Sequence, residues 1–278
     1  MSQRLKILLL DNGSVRPQAV FQLRQLAEKL SEVSGYSVAP VSLRHSNRIS
    51  ADDLQGVPAE TFTSYLRGEL RVESTRFIVL PLFFAMNSAL SEYVPEQLKL
   101  LKSEFGEVNI QLAEVVYPLP DGEPSLVAML HDHVQSNIDS LSTPDYSVVL
   151  VDHGSPSPQV TAVRQHAAQA LSKSLDGMAI DQAVMERRDG KEYDFNGPLL
   201  EQYLSEQAAS GVKSVIVVLM FFLPGRHAGA EGDIDEICSR AMGESPGFSV
   251  RVSPLVGEHE ALIELLHSRL LSVIPGVV

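Results

Sequence analysis

Two histidines lie at matching positions in the second half of the chain, and their side chains are well suited to chemistry. His153 follows the predicted strand 147–151 after Asp152, and His227 follows the predicted strand 214–222 after a four-residue turn. A neutral imidazole binds transition metals and accepts a proton near neutral pH. If the two strands are neighbours in a parallel sheet, the imidazoles lie over one crevice at the carboxyl ends of the strands. The pair predicts a metal or proton-transfer site, although a lone histidine at a strand end is more often solvated or capping.

An acidic residue is predicted at the same edge of the sheet. Glu186 ends the strand predicted over residues 178–186 and would there assist the histidines, the alternative being a surface carboxylate in a loop. Arg226, beside His227, is suited to an anionic substrate carboxylate, or else it is simply solvated. The acidic residues that follow either guide a metal ion to the site or begin a helix whose dipole favours negative charge. These residues are Glu231, Asp233, Asp235 and Glu236.

Ser155 lies two residues after His153, but the two do not form the pattern of a nucleophile and its base. The sequence around Ser155 has no Gly-x-Ser-x-Gly elbow, and a serine so close along one strand end is poorly placed for proton abstraction. The loop also lacks a Gly-x-Gly-x-x-Gly pattern and a Walker lysine. We expect Gly154 and Ser155 to form a tight turn and to cap the helix that begins near Pro158. Ser155 and Arg226 are the predicted substrate-binding residues.

The chain repeats itself. Residues 6–14, KILLLDNGS, return as residues 147–155, SVVLVDHGS, and each copy runs into a short stretch that contains proline. Further along, residues 77–84 are echoed by residues 215–222. Such self-similarity indicates two copies of one structural unit, so it decides the fold before any other pattern does.

Only the second copy carries the imidazole pair. The first copy has Asn12 and Asn87 where the second has His153 and His227. An asparagine can keep the turn geometry and its hydrogen bonds, but it does not accept a proton or bind a metal well at neutral pH. The first half is therefore expected to be retained for its shape, and the second half for its chemistry.

Strands and helices are predicted to alternate throughout both halves. Continuous apolar runs such as residues 5–10 are typical of parallel strands buried on both faces, and helical spacing follows each of them. The predicted strands cover residues 5–10, 36–43, 77–84, 108–117, 147–151, 178–186, 214–222 and 248–256. The predicted helices cover residues 18–31, 58–70, 92–105, 126–139, 159–175, 199–210, 233–242 and 260–273. This pattern predicts an α/β fold of two tandem flavodoxin-like domains with parallel sheets, at residues 1–140 and 146–278, related by internal duplication.

The composition of the chain excludes several classes of function. The 278 residues carry a formal net charge of −13, which disfavours binding to nucleic acids or to anionic membranes. Cys238 is the single cysteine, so intramolecular disulfides and zinc–cysteine clusters are excluded, and a reducing cytoplasm is indicated. No segment of the sequence has the length and apolarity of a signal core or a membrane span. A monomer and a homodimer are both compatible with the sequence.

Several segments together resemble the class II sirohydrochlorin chelatases of the CbiX type. They are Asp152-His153-Gly154-Ser155, Glu186, residues 221–229, residues 232–234 and residues 254–257. The resemblance covers both halves and implies that each is a chelatase-like domain. It also implies insertion of Co²⁺ or Fe²⁺ into sirohydrochlorin, on the way to cobalamin or sirohaem. It further implies that His153 and His227 bind the metal and accept the pyrrole protons, and that Glu186 assists. The partners would be a tetrapyrrole and a divalent metal, the metal being a substrate, with no permanently bound cofactor.

Two other interpretations remain open at this point. A non-catalytic relative of the same fold would bind a tetrapyrrole or carry a metal without turnover. An unrelated binding module would contain the histidine pair by coincidence. Turnover separates catalysis from the first alternative, and loss of all metal affinity in the intact protein would favour the second. Imidazole binds Fe²⁺, Co²⁺ and Ni²⁺ alike, so the residues do not select the metal.

Overall fold

A computed structural model describes residues 4–72, 75–230 and 232–274. The first repeat contains β1 (Arg4–Asp11), α1 (Pro17–Ser34), β2 (Val38–Ser42), α2 (Phe62–Val72), β3 (Thr75–Pro81), α3 (Val94–Phe105), β4 (Asn109–Leu112) and α4 (Pro124–Ile138). The second repeat contains β5 (Tyr146–Asp152), α5 (Pro158–Ser174), β6 (Ile180–Val184), α6 (Leu200–Ser210), β7 (Ser214–Leu219), α7 (Asp233–Glu244), β8 (Ser249–Val252) and α8 (Ala261–Leu271). The predicted alternation of strands and helices is confirmed.

Each repeat forms a four-stranded parallel sheet. The strand orders are β2-β1-β3-β4 and β6-β5-β7-β8, so the first and third strands of each repeat are neighbours, as in flavodoxin-like folds. Val148–Val151 and Val215–Val218 are almost completely buried, because helices cover both faces of these central strands. The predicted fold class is confirmed, and the strand order brings the ends of β5 and β7 together.

The last strand of each repeat is shorter than predicted. β4 ends at Leu112 and β8 ends at Val252, although apolar residues continue beyond both ends. These apolar residues are buried in the connections after the strands, where the Val116 amide bonds to the Phe83 carbonyl and the Val256 amide to the Phe221 carbonyl. Burial in a connection and burial in a strand give the same apolar pattern in the sequence. For this reason the predicted strands extend beyond the observed ends of β4 and β8.

The compact units of the fold do not follow the repeat boundary. One unit contains the residues up to Pro118 together with the segment that starts at Ile263, and the other unit spans Leu119–Leu262. Helix α4, which ends the first repeat in sequence, packs on α5 and β7 of the second repeat. Its apolar face is fully buried there, with Leu126, Met129 and Leu130 at its centre. The predicted domains 1–140 and 146–278 are thus units of sequence repetition. In the compact units, the last helix of each repeat is grouped with the other repeat.

One face of each sheet packs in a hydrophobic core of its own unit. In the first unit, Leu8, Leu10 and Val79 pack with Phe62 and Phe77. In the second unit the corresponding cluster is built around Val149, Val151, Val215, Val217 and Leu204. Within residues 4–72, 75–230 and 232–274, no helix combines the length and the apolarity needed to cross a bilayer.

Candidate functional site

The carboxyl edge of the second sheet brings together His153, Glu186 and His227. His153 directly follows β5, Glu186 lies two residues beyond β6, and His227 lies in the loop after β7. One ligand atom from each of the three lies within 4.8 Å of the others. The two imidazole rings meet edge to face, with their centroids 4.8 Å apart and their planes at 76°. The strand order thus places both histidines as their positions predict, and Glu186 joins them from a loop rather than from a strand end.

The loop that carries His153 is held against the loop that carries Glu186. The Glu186 amide donates to the His153 carbonyl at 2.9 Å, and the Met185 amide donates to the Asp152 carbonyl at 3.1 Å. Gly154 has a φ of +86°, and a Cβ at that position would collide with the Glu186 carbonyl oxygen. Only glycine allows this close approach together with this backbone conformation, so the turn predicted at Gly154 has a steric reason.

His153 points one ring nitrogen at its own loop. Its Nδ1 lies 3.2 Å from the Gly154 carbonyl, which can only accept a hydrogen bond. This bond assigns the proton to Nδ1 and leaves Nε2 with a lone pair for a metal ion or a proton. The side chain is exposed, so a ligand can reach it.

His227 is buried, and an acidic residue lies at each of its ring nitrogens. Nδ1 lies 2.8 Å from Asp233 Oδ2, and Nε2 lies 3.2 Å from Glu186 Oε1. Asp233 is the first residue of α7, where the positive end of the helix dipole favours a carboxylate. A carboxylate on the far nitrogen fixes the ring orientation and increases the basicity of the nitrogen that faces a metal.

Arg226 lies between the two carboxylates of the site. Its Nη1 is 3.4 Å from Glu186 Oε1, and its Nε is 3.3 Å from Asp233 Oδ2. The guanidinium therefore offsets part of their negative charge while its side chain stays 73% exposed. Its predicted contact with a substrate stays a prediction.

Ser155 is part of the turn that leads into α5. Its hydroxyl accepts the Ser157 amide at 3.0 Å, and Ser157 is the residue that precedes the helix. The amide and carbonyl of Ser155 are bonded to the Asn196 side chain at 3.0 Å and 2.9 Å. These bonds support the predicted role of Ser155 in the turn. The prediction that Gly154 and Ser155 cap the helix is wrong, because Ser157 is the capping residue of α5. The predicted contact of Ser155 with the substrate stays a prediction.

The same edge of the first sheet has different chemistry. A Cβ on Gly13 would collide with the Arg44 carbonyl, as one on Gly154 would with that of Glu186, so Arg44 takes the backbone place of Glu186. Its guanidinium lies 3.7 Å from the centroid of the Tyr93 ring, a cation–π contact. The Asn87 side chain accepts the Leu90 amide at 3.3 Å and so caps a turn. Asn12, Arg44 and Asn87 therefore offer a cation and two amides where the second sheet offers three ligands for a cation.

His133 and His259 lie outside the group formed by His153, Glu186 and His227. Burial, and secondly the charge of His259, lower the pKa of His133 to about 4, so it is neutral at physiological pH. The His133 and His259 rings have centroids 5.5 Å apart, and His259 Nε2 lies 3.4 Å from Asp132.

Among the acidic residues after His227, Asp233 has a more specific role than its charge indicates. Asp233 orients His227, whereas the sequence shows only that an acidic residue begins a helix there. Glu231 lies outside the described residues.

Comparisons with known proteins agree with this fold. The structure is similar to SirB from Bacillus subtilis with Fe³⁺, with a TM-score of 0.70 and 16% identity over 96% of this chain and 94% of that one. It is also similar to SirB from Bacillus subtilis subspecies spizizenii in complex with cobalt, with a TM-score of 0.67 and 15% identity over 96% and 94%. A third similar structure is CbiX described as the terminal enzyme of sirohaem biosynthesis in denitrifying bacteria, with a TM-score of 0.63 and 15% identity over 97% and 99%.

A search of curated proteins found no match to the sequence. The family model CbiX matches the chain twice, over residues 6–137 and 147–273, and these two matches coincide with the two sequence repeats. The chain therefore belongs to the CbiX family, as a tandem pair of its repeats.

Proposed function

We propose that this protein inserts a divalent metal ion, Co²⁺ or Fe²⁺, into sirohydrochlorin, in cobalamin or sirohaem biosynthesis, and that the second unit carries the reaction. The observation that carries the proposal is the convergence of His153, Glu186 and His227 within 4.8 Å. Membership of the CbiX family supports the substrate class, and the two SirB structures that contain iron or cobalt support the class of metal.

The three side chains suit a metal that must be held briefly and then released. Two imidazoles and one carboxylate bind first-row divalent ions and leave further coordination positions open. The pyrrole nitrogens of the macrocycle can fill these positions, so that they replace the protein ligands one at a time. The metal is a substrate here, and no permanently bound cofactor takes part.

Metal insertion also requires removal of two protons from the pyrrole nitrogens. As the metal moves into the macrocycle, His153 and His227 lose it and regain lone pairs on Nε2, so each can accept one proton. Asp233 stabilises His227 in its protonated form through the bond to Nδ1. The proposed products are the metallated macrocycle and two imidazolium groups, which then release their protons to water.

The macrocycle carries carboxylate side chains that need polar partners. Arg226 is the proposed partner because its guanidinium lies at the edge of the site and is 73% exposed. Ser155 is the second proposed contact, because its hydroxyl keeps a donor hydrogen while it accepts the Ser157 amide.

The test is anaerobic absorbance of sirohydrochlorin mixed with Co²⁺ or Fe²⁺. We expect the wild-type protein to accelerate metallation above the uncatalysed rate, and His153→Ala and His227→Ala to abolish the acceleration. Asn12→Ala is the matched control, because it removes a polar side chain from the same strand end of the first repeat. Binding of the macrocycle without acceleration would reject the catalytic proposal and favour the non-catalytic, tetrapyrrole-binding or metal-carrying relative.

A further inference from the structure

A buried polar network lies directly beneath the His153 loop. Arg164 on α5 is 1% exposed and Asn196 is 0% exposed. The Arg164 guanidinium donates to Asp152 Oδ1 at 2.5 Å and to the Asn196 carbonyl at 2.6 Å. Its Nε also donates to the Gln182 side chain at 3.3 Å. A fully buried arginine with this many partners is uncommon.

The network is bonded to the backbone on the far side of His153. The Gly154 amide donates to Asp152 Oδ1 at 2.9 Å, the oxygen that also accepts from Arg164. The Asn196 side chain accepts the Ser155 amide at 3.0 Å and donates to the Ser155 carbonyl at 2.9 Å. Three hydrogen bonds from buried side chains thus fix the peptide units that follow His153.

The first repeat shows that the fold does not require this network. Its equivalent helix, α1, begins at Pro17 as α5 begins at Pro158, and the position of Arg164 is occupied there by the buried Leu23. Asp11 takes the place of Asp152, and its buried Oδ1 has no hydrogen-bond partner among the residues that the structure describes. The same parallel sheet forms nevertheless, with β1 between β2 and β3.

A buried ion pair gives little net stability, because desolvation of both charges offsets their attraction. A repeat that folds with leucine at this position would gain no obvious stability from an arginine. The network occurs where the strand end carries His153, and the leucine occurs where the strand end carries Asn12. This contrast indicates a role in the site rather than in the fold.

We propose that Arg164 and Asn196 are positioning residues, which hold the His153 loop so that its imidazole faces His227 and Glu186. The proposal rests on the proposed metal site. Neither residue needs to contact the metal or the macrocycle, since both act through the peptide units on either side of Gly154. Loss of the network would leave His153 attached to a loop with several conformations, of which only some present Nε2 to the metal.

The test is a double-mutant cycle on Co²⁺ affinity, measured without tetrapyrrole by visible absorption of the bound ion. We expect Arg164→Leu to weaken Co²⁺ binding at least tenfold, and Arg164→Lys, which keeps a cation for Asp152, to recover part of the loss. In a His153→Ala background, Arg164→Leu should cause no further loss, because it acts through His153. Asn196→Ala tests the same loop without leaving an unpaired buried charge, and it should also weaken binding only when His153 is present.

Leu204→Ala distinguishes a loss of positioning from a general loss of stability, because it removes a fully buried side chain from the core of the same unit. It should lower the melting temperature and leave the Co²⁺ affinity unchanged. Equal losses from Arg164→Leu and Asn196→Ala with and without His153 would overturn the proposal. Metallation of sirohydrochlorin by the wild-type protein is a separate measurement, so the proposed function can fail while the positioning role stands.

Discussion

At the scale of single residues, His227 is the most constrained side chain of the site, because both of its ring nitrogens have acidic partners. We expect Asp233→Asn to weaken Co²⁺ binding roughly 10- to 100-fold, since the amide cannot orient and polarise the imidazole as a carboxylate does. The measurement is a titration with Co²⁺ followed by visible absorption. Glu236→Gln is the control, as it removes the same charge from the same helical turn without altering the His227–Asp233 bond. Equal losses in both variants would mean that only the charge of the helix start matters.

Asp11 ends β1 in the first repeat, where Leu23 takes the position of the arginine that pairs with Asp152 in the second repeat. Burial raises its pKa from 3.8 to about 6, although bonds from Ser42 and from the Gly13 amide oppose the shift. Because the folded pKa lies above the unfolded one, the contribution of this group to stability is fully present below pH 4 and is lost as the pH rises through 6. Folding at pH 7 must therefore bury an ionised carboxylate.

Replacing Asp11 by asparagine removes that charge. We expect Asp11→Asn to raise the free energy of unfolding at pH 7.5 by about 1–3 kcal/mol, and the gain to shrink towards pH 4.5. Urea unfolding at the two pH values measures the difference. Asp121→Asn, at an exposed position, controls for the change in net charge. A gain that does not depend on pH would contradict the assignment.

At the scale of elements, the turn after the first strand of each repeat brings two loops into contact. Gly154 and Gly13 both have positive φ, and a Cβ at either position would collide with a carbonyl of the loop after the second strand. We expect Gly154→Ala and Gly13→Ala each to destabilise the protein by at least about 1–2 kcal/mol. Only Gly154→Ala should also weaken Co²⁺ binding, because its loops carry His153 and Glu186.

The two alanine variants are matched controls for each other. Thermal unfolding gives the loss of stability, and Co²⁺ titration gives the loss of affinity, for both proteins under the same conditions. An equal effect on Co²⁺ binding from Gly13→Ala would show that the metal site depends on general stability and not on the turn after β5.

The elements were largely predictable from sequence because the central strands are buried on both faces. Residues 148–151 form a continuous apolar run for that reason. The run ends at Asp152, and the end of the strand therefore fixes the place of His153. The packing of α4 and the burial of Arg164 depend on contacts between residues far apart in sequence, so they could not be predicted. The apolar spacing of α4 shows that one face is buried but not which sheet covers it. Arg164 sits in a helix where an arginine is ordinarily solvated, so only the structure shows that it is buried against Asp152 and Asn196.

At the scale of the whole molecule, the exchange of the last helices means that the second repeat is not a complete unit by itself. The compact unit with His153 and His227 spans Leu119–Leu262 and includes α4 from the first repeat. Without α4, the surfaces of α5 and β7 that it covers would face water. Each buried leucine or methionine of α4 contributes roughly 1.5–3 kcal/mol through the hydrophobic effect, which is a large share of the stability of a small domain.

Two fragments test this division of the chain. We expect the fragment 119–262 to fold cooperatively and to bind Co²⁺ through His153, Glu186 and His227. The fragment 141–278, which is the second repeat as the sequence defines it, should be largely unfolded and should bind Co²⁺ weakly, because it lacks α4. Circular dichroism and urea unfolding measure folding, and His153→Ala in the fragment 119–262 controls for nonspecific binding. If the fragment 141–278 folds and binds as tightly as 119–262, the sequence repeat and not the compact unit is the functional unit, and α4 is dispensable for the site.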